Sequence, residues 1–316
     1  MALQQYIVRR LALALVTLLI TSFLVFTMIR LNPDAVVAAR LGENYTQEQA
    51  EAVKEEYGLN RPIPTEYVAW VGRVVRGDWG RSAYTYKPVL VEMGPKIAVT
   101  LELAMLAVTF AILIGIPVGV LSALRQDHWP DYTLRMLSIF GLSVPGFYVA
   151  TIVMALLAKN FHWIPDIRYR TFIEDQLGNL QQMALPALIL ALSTSAQVMR
   201  YTRAMMVDIM RQDFIRTAWS KGLRERVVVT RHALKNAMLP VITVLGISMT
   251  FLVGGTVIFE TLFVLPGQGT HLIRAVQQRD FAVVQGVTLF FALAVVLINL
   301  FVDLSYTLLD PRARTS

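Results

Sequence analysis

The run LALALVTLLITSFLVFTMI, Leu11–Ile29, holds no charged residue and is fenced by Arg9, Arg10 and Arg30. About 20 apolar residues in a helix cross a bilayer core of roughly 30 Å. This run is long enough to cross, and too long and continuous for a strand. It also exceeds the roughly 7–15 apolar residues of a secretory signal peptide. Small residues follow at Ala35, Ala38 and Ala39, where cleavage could occur. The length of the run favours a retained membrane anchor.

Five more stretches pass the same test, near Ile97–Leu124, Tyr132–Ala158, Met183–Tyr201, Val241–Phe259 and Gln285–Leu308. The composition agrees. Of 316 residues, 55% are hydrophobic and 16% charged, with mean hydropathy +0.54. Soluble domains carry about 25% charged residues. Disorder is excluded, and a soluble globule does not fit. There is no cysteine, which excludes disulfides and thiolate metal sites. His128, His162, His232 and His271 share no ligand-like spacing, so no metal site is expected.

The net charge is +7. A basic chain can bind nucleic acid, lie on a membrane or span one with positive loops. Where the charges lie decides between these. With the amino terminus inside, the inner segments 1–10, 125–135, 200–236 and 309–316 hold 15 basic and 6 acidic residues. The outer segments 30–96, 159–182 and 260–284 hold 14 of each, leaving Glu102 and Asp303 within spans. Positive-inside orientation places both termini in the cytoplasm. The basic cluster lies between two spans, which speaks against nucleic acid as partner.

Segment 30–96 reads as a small folded outer element within a single transmembrane domain, 1–316. Thr46 is placed to cap a helix through Glu48–Tyr57, with Gln49 completing a capping box and Gly58 ending it. After Pro62 and Pro64, Thr65 is placed to cap a second helix to Arg76, closed by Gly77. Val68, Val71 and Val75 share a face of that helix and are expected to pack. The element is either a plain stabilising cap over the spans or a docking or gating surface on the outer side.

Segment 200–236 holds nine basic and three acidic residues. It reads as short helices Arg203–Phe214, Ile215–Lys221 and Val227–Ala237, broken at Gly222. The i,i+4 pairs Phe214/Ala218 and Ile215/Trp219 give an apolar face among the charges. Topology alone needs only the cations. An apolar, Trp-bearing helix on top of them suggests a surface for a cytoplasmic protein, because Trp and Arg are enriched at binding hot spots. The other reading is an amphipathic helix lying on anionic membrane lipid.

Polar groups inside spans are costly and usually face a bundle interior or an aqueous path. Ser193, Thr194, Ser195 and Gln197 lie in the fourth span; Thr243, Gly246, Ser248, Thr250, Gly254 and Gly255 lie in the fifth. Small residues also serve close helix packing. If a path exists here, Ser193, Gln197, Ser248 and Thr250 are its candidates. Pro117, Pro145 and Pro186 interrupt spans two to four, as kinked transporter helices do. Glu102 and Asp303 lie about one turn from opposite ends of their spans, so no proton relay is expected. No Gly-Lys dipeptide, GxSxG or HExxH is present, hence no P-loop, nucleophile elbow or zinc-hydrolase motif. The chain carries no enzyme chemistry, and uphill transport needs an ion gradient or another subunit.

The inner loop carries a family resemblance. Arg216-Thr217-Ala218, three residues, Gly222, and then Leu239-Pro240 resemble the "EAA" loop of ABC importer permeases. The acidic first position is Arg216 here, and the distance from Gly222 to Leu-Pro is longer. Both departures resemble the dipeptide/oligopeptide permease group, as does the whole run Asp213–Thr243. YIVRRL at the amino end, GLNRPIPTEYVAWV, GDWGRS, TLEL, FETLFVLPGQG, RDFAVVQG and NLFVDLSYTLLDPRAR are similar in order and spacing. The chain resembles the first, B-type permease of a peptide-type ABC importer.

The resemblance implies an all-α, six-span permease of a bacterial or archaeal cytoplasmic (inner) membrane. It implies a heterodimer with a second homologous permease, two cytoplasmic ATPase subunits that bind ATP and Mg, and an extracytoplasmic solute-binding protein. No cofactor is implied in this chain. The coupling helix maps to Phe214, Ile215, Arg216, Thr217, Ala218, Trp219, Lys221 and Gly222. Peptides are the implied substrate; nickel complexes, glutathione and oligosaccharides are alternatives within the family. The rival from another class is a stand-alone secondary transporter or channel.

Overall fold

A computed structural model describes residues 2–42 and 44–309; the side chains of 2–7, 29, 39, 239 and 303–309 are outside the description. The side chain of Asp303 and the expected inner terminus from Asp310 on therefore lie outside the described residues.

Among the described residues the chain is helical, with a single antiparallel bridge, Arg81–Pro88, and no strand. The helices are α1 Ala2–Arg30, α2 Pro33–Leu41, α3 Gln47–Glu56, α4 Ile63–Val75, α5 Val89–Leu124, α6 Trp129–Ser143, α7 Gly146–Phe161, α8 Gln176–Met210, α9 Asp213–Ser220, α10 Glu225–Val227, α11 Lys235–Leu262, α12 Gln268–Gln277 and α13 Phe281–Leu309. Five of them hold spans long and apolar enough to cross a membrane: Val8–Met28, Val89–Leu124, Gln176–Met210, Pro240–Leu262 and Phe281–Val302. The pair α6 and α7, bent by 97°, brings the number to six when counted as one broken span. The protein is a multi-pass, all-α membrane protein.

The expected unbroken third span is thus two helices. Pro145 has no N–H to continue α6, and it forces the residue before it out of the helical region. Val144 is extended, at φ −96 and ψ 123. Pro117 and Pro186, by contrast, lie inside continuous helices. The second span begins at Val89 rather than Ile97, which puts Glu102 more than three turns into its helix.

The chain forms two compact units. One is Tyr6–Thr100 with Pro266–Leu297. In it, Thr46 and Gln49 form both halves of the expected capping box, and Val37, Ala50 and Val53 join α2 to α3. The second helix expected in segment 30–96 departs from expectation. It begins at Ile63, and Thr65 sits in its first turn, donating its hydroxyl to Pro62 O at 2.8 Å. Val68 and Val75 are exposed. The packed face carries Tyr67 and Trp70, which meet Phe26 of α1 at ring distances of 5.4 Å, and the Tyr67 hydroxyl bonds to Ser22 at 2.8 Å. Aromatic rings bury more area than valines, so they claim the contact. Glu66 is buried on the same helix between Arg73 at 2.8 Å and Arg61 at 3.3 Å.

The other unit is Met1–Gln5, Leu101–Leu265 and Ile298–Ser316. Its frame is α8 against α5, α6, α7 and α11. Two glycines let α5 approach closely. A Cβ on Gly115 would stand 2.8 Å from Ser195 O, and one on Gly119 would stand 2.7 Å from Met199 O. This is the small-xxx-small device for close helix crossings in membranes.

Candidate functional site

The basic segment between the fourth and fifth spans is less of a loop than its charge suggests. Residues 200–210 continue α8, so the expected helix Arg203–Phe214 is the end of that span. Only Arg211 and Gln212 separate α8 from α9. Asp213 opens α9, where a negative charge suits the helix dipole.

The end of α9 is set by a glycine. The N–H of Leu223 reaches Ala218 O at 3.4 Å and the N–H of Gly222 reaches Trp219 O at 2.9 Å. These are the two bonds of a Schellman motif, which needs a left-handed residue. Gly222 supplies it at φ +73. The chain then turns through α10 into a π-helical stretch, Val228–Leu234, that leads into α11. Wider π turns inside helices recur at functional sites.

The two apolar pairs do not form one face. Ile215 and Ala218 point inward and are 0% and 6% exposed. They complete a core with Met206, Ile209, Val228, Val229, Ala233 and Ala237, flanked by Val120 and Ala123 of α5. Burying Ile215 is worth about 2–3 kcal/mol. Phe214 and Trp219 point outward, 41% and 42% exposed. Around them Arg216, Thr217, Lys221 and Gly222 are also exposed. Arg216 reaches only Asp213, at 3.4 Å, with both side chains well solvated, and such a pair contributes little. The result is an eight-residue helix anchored along one edge, with an aromatic and cationic face left open.

The candidate path residues divide. The Ser248 hydroxyl donates to Gln197 Oε1 at 2.9 Å, joining α11 to α8. The Thr250 hydroxyl is buried without a hydrogen-bond partner. Ser193 lines a cleft of about 190 Å³ with Gly146, Phe147, Phe251 and Phe259, at the break between α6 and α7. Gln197, Ser248 and Thr250 are not in its lining. Glu102 accepts a hydrogen bond of 2.6 Å from Tyr169, so it pairs with a neighbour.

One constellation escaped the sequence reading. Asp131 and Arg203, both assigned to inner loops, form a forked ion pair on α6 and α8, with Asp131 buried and Arg203 partly exposed. Opposite charges 72 residues apart leave no local signal.

Comparison with known proteins places the chain. Residues 115–315 match the family described as binding-protein-dependent transport system inner membrane component, and residues 3–91 match its N-terminal counterpart. The dipeptide transport system permease protein DppB of Alkalihalophilus pseudofirmus is 34% identical over 329 residues, covering 98% of this chain and 99% of that protein. A Brucella abortus protein named with the peptide transport system permeases is 38% identical over 308 residues, covering 98% of each. Among solved structures, the MetNI methionine ABC transporter in inward facing conformations aligns with a TM-score of 0.55 at 15% identity. That alignment covers 70% of this chain and 97% of the other, and it supports the fold. The chain belongs to the binding-protein-dependent transport system inner membrane component family.

Proposed function

We propose that this chain is the permease of an ATP-driven importer of peptides in the cytoplasmic (inner) membrane of a bacterium or archaeon, with both termini in the cytoplasm. It forms the path with a second, homologous permease. Two cytoplasmic ATPase subunits bind ATP and Mg and supply the energy, and an extracytoplasmic solute-binding protein delivers the substrate. The names of the relatives favour peptides. The domain is a single permease, with 30–96 outside and the coupling segment 200–236 inside.

The observation that carries the reading is the open face of α9. An ATPase groove would take Phe214 and Trp219 as apolar anchors and meet Arg216 and Lys221 with acidic groups. Ile215, Ala218 and Gly222 hold the helix in place for that contact. Lipid binding would not need a helix wedged so firmly into the spans. Ser193, Gln197, Ser248 and Thr250 remain the candidates for the path.

The test is reconstitution in liposomes. With the second permease, the ATPases and the binding protein, peptide uptake is expected to require ATP. The chain alone is expected to pass nothing. Peptide flux from the chain alone would establish a secondary transporter or channel instead.

A further inference from the structure

Asp131 is fully buried, yet every acceptor position of its carboxylate is used. Oδ1 accepts from the Ser122 hydroxyl at 2.5 Å and from Arg203 Nε at 2.6 Å. Oδ2 accepts from Arg203 Nη2 at 2.6 Å and from the Asp127 N–H at 3.1 Å. The guanidinium meets the carboxylate as a planar fork, which fixes direction as well as distance. Ser122 belongs to α5, Asp131 to α6 and Arg203 to α8, so one carboxylate ties three helices.

With Asp131 buried and Arg203 only partly exposed, desolvation offsets much of the pair's attraction, and apolar residues of similar volume often hold helices as well. What the fork adds is a single permitted arrangement. Its place gives that arrangement a use. Arg203 lies two turns before the end of α8, and α9 follows after Arg211 and Gln212. Ile215 and Ala218 of α9 share one core with Met206 and Ile209 of α8, and Val120 and Ala123 of α5 pack against that core. One turn from Ser122, Gly119 brings α5 into direct contact with the α8 backbone. Farther along the unbroken α8 are Ser193 and Gln197.

We infer that Asp131 and Arg203, with Ser122, form a positioning clamp for energy coupling, holding the ends of α5, α6 and α8 beside α9 so that movement imposed on α9 turns these helices as one body. Without the clamp, the joint between α8 and its neighbours absorbs the movement. The inference rests on α9 being the ATPase contact.

The experiment measures peptide taken up per ATP hydrolysed by the complete complex in liposomes, together with the amount of ATPase that co-purifies. For Asp131→Asn, the complex is expected to assemble while the peptide-to-ATP ratio falls about tenfold, the size of a coupling loss of 1–2 kcal/mol. Arg203→Lys, which keeps the charge and loses the fork, should fall less than Arg203→Gln. Ser122→Ala should fall about two- to threefold, as expected for one lost hydrogen bond. A ratio unchanged in Asp131→Asn and Ser122→Ala, whatever happens to thermal stability, overturns the clamp. If Asp131→Asn does not assemble, Ser122→Ala and Arg203→Lys decide by the same ratio. A wild-type complex lacking ATP-dependent uptake would instead remove the reading of α9.

Discussion

The Tyr169 hydroxyl donates a hydrogen bond of 2.6 Å to Oε2 of Glu102, joining the segment between α7 and α8 to a carboxylate inside α5. Asn179, fully buried near the start of α8, steadies the same segment by donating to Arg170 O at 2.9 Å. An acid within a span is thereby held by a residue outside it.

Tyr169→Phe should therefore destabilise the protein by about 1–3 kcal/mol, because it leaves a half-buried carboxylate short of a donor. The Tyr169 hydroxyl is held well above the ordinary tyrosine range, first by burial and then by the hydrogen bond and charge of Glu102. A raised folded-state value means that the proton stabilises the fold at neutral pH. That contribution fades only as pH climbs past about 10. Near-ultraviolet titration of wild type against Tyr169→Phe measures it. A phenolate from Tyr169 at or below pH about 10 would refute the assignment.

The two edges of α9 should respond differently. Trp219→Ala or Arg216→Glu alters exposed side chains and is expected to leave the melting temperature nearly unchanged while reducing ATPase co-purification. Ile215→Ala opens a cavity in the core and should cost about 2–4 kcal/mol. Ala218→Glu would bury a charge in the same core, so loss of ATPase from that variant alone would not report on docking. Normal co-purification with both surface variants would argue against α9 as the contact.

Glycines at two positions should show costs of different origin. A Cβ on Gly222 meets nothing within 4 Å, so Gly222→Ala should cost only the left-handed backbone, about 1 kcal/mol. A Cβ on Gly119 would strike Met199 O and Thr202, both at 2.7 Å. Gly119→Ala must spread α5 from α8, and a loss of about 1–3 kcal/mol or more is expected, as for overpacked cores. Thermal unfolding in detergent ranks the two. A milder effect at Gly119 would mean that the crossing tolerates separation.

Acid should weaken the unit that holds α12. His271 lies 3.4 Å from Glu92 and is mostly buried. Burial, and then the charge of Lys96, hold its ring below the usual histidine range, against the opposing pull of Glu92 and Asp280. A lowered value favours the neutral ring in the folded state. Its stabilisation is present above about pH 6.5 and is lost as pH falls through the folded-state value. Melting temperatures at neutral and mildly acidic pH should differ more for wild type than for His271→Gln. Equal differences would show that His271 is not the group responsible.

Much of this protein is legible along the chain because its causes are local. Leu11–Ile29 and four of its companions mark long apolar helices by length and hydropathy, although the second and fourth run beyond the expected ends, and the third expected span is broken at Pro145. The Thr46–Gln49 capping box and the break at Gly222 follow from bonds that close within a turn. Where a local rule met a competitor, it failed. Thr65 lost its capping place to a helix that begins at Ile63, and the valine stripe of α4 yielded to Tyr67 and Trp70, which had Phe26 to pack on.

The face of α9 shows where such reading stops. Phe214, Ile215, Ala218 and Trp219 are all apolar, and periodicity offers two edges without choosing one. The choice falls to α8 and the π-helical stretch, which supply Met206, Ile209, Val228 and Val229 opposite Ile215 and Ala218. Asp131 and Arg203 are a stronger case. In the sequence they are an acid and a base in two inner segments, counted toward orientation. The packing of α6 on α8 puts them within 2.6 Å of each other. The sequence by itself therefore determined five of the spans, the Thr46 cap, the break at Gly222 and a charge asymmetry consistent with positive-inside orientation, since each depends on adjacent residues. Only the tertiary structure decided which side chains meet, because contact across 72 residues depends on where helices cross.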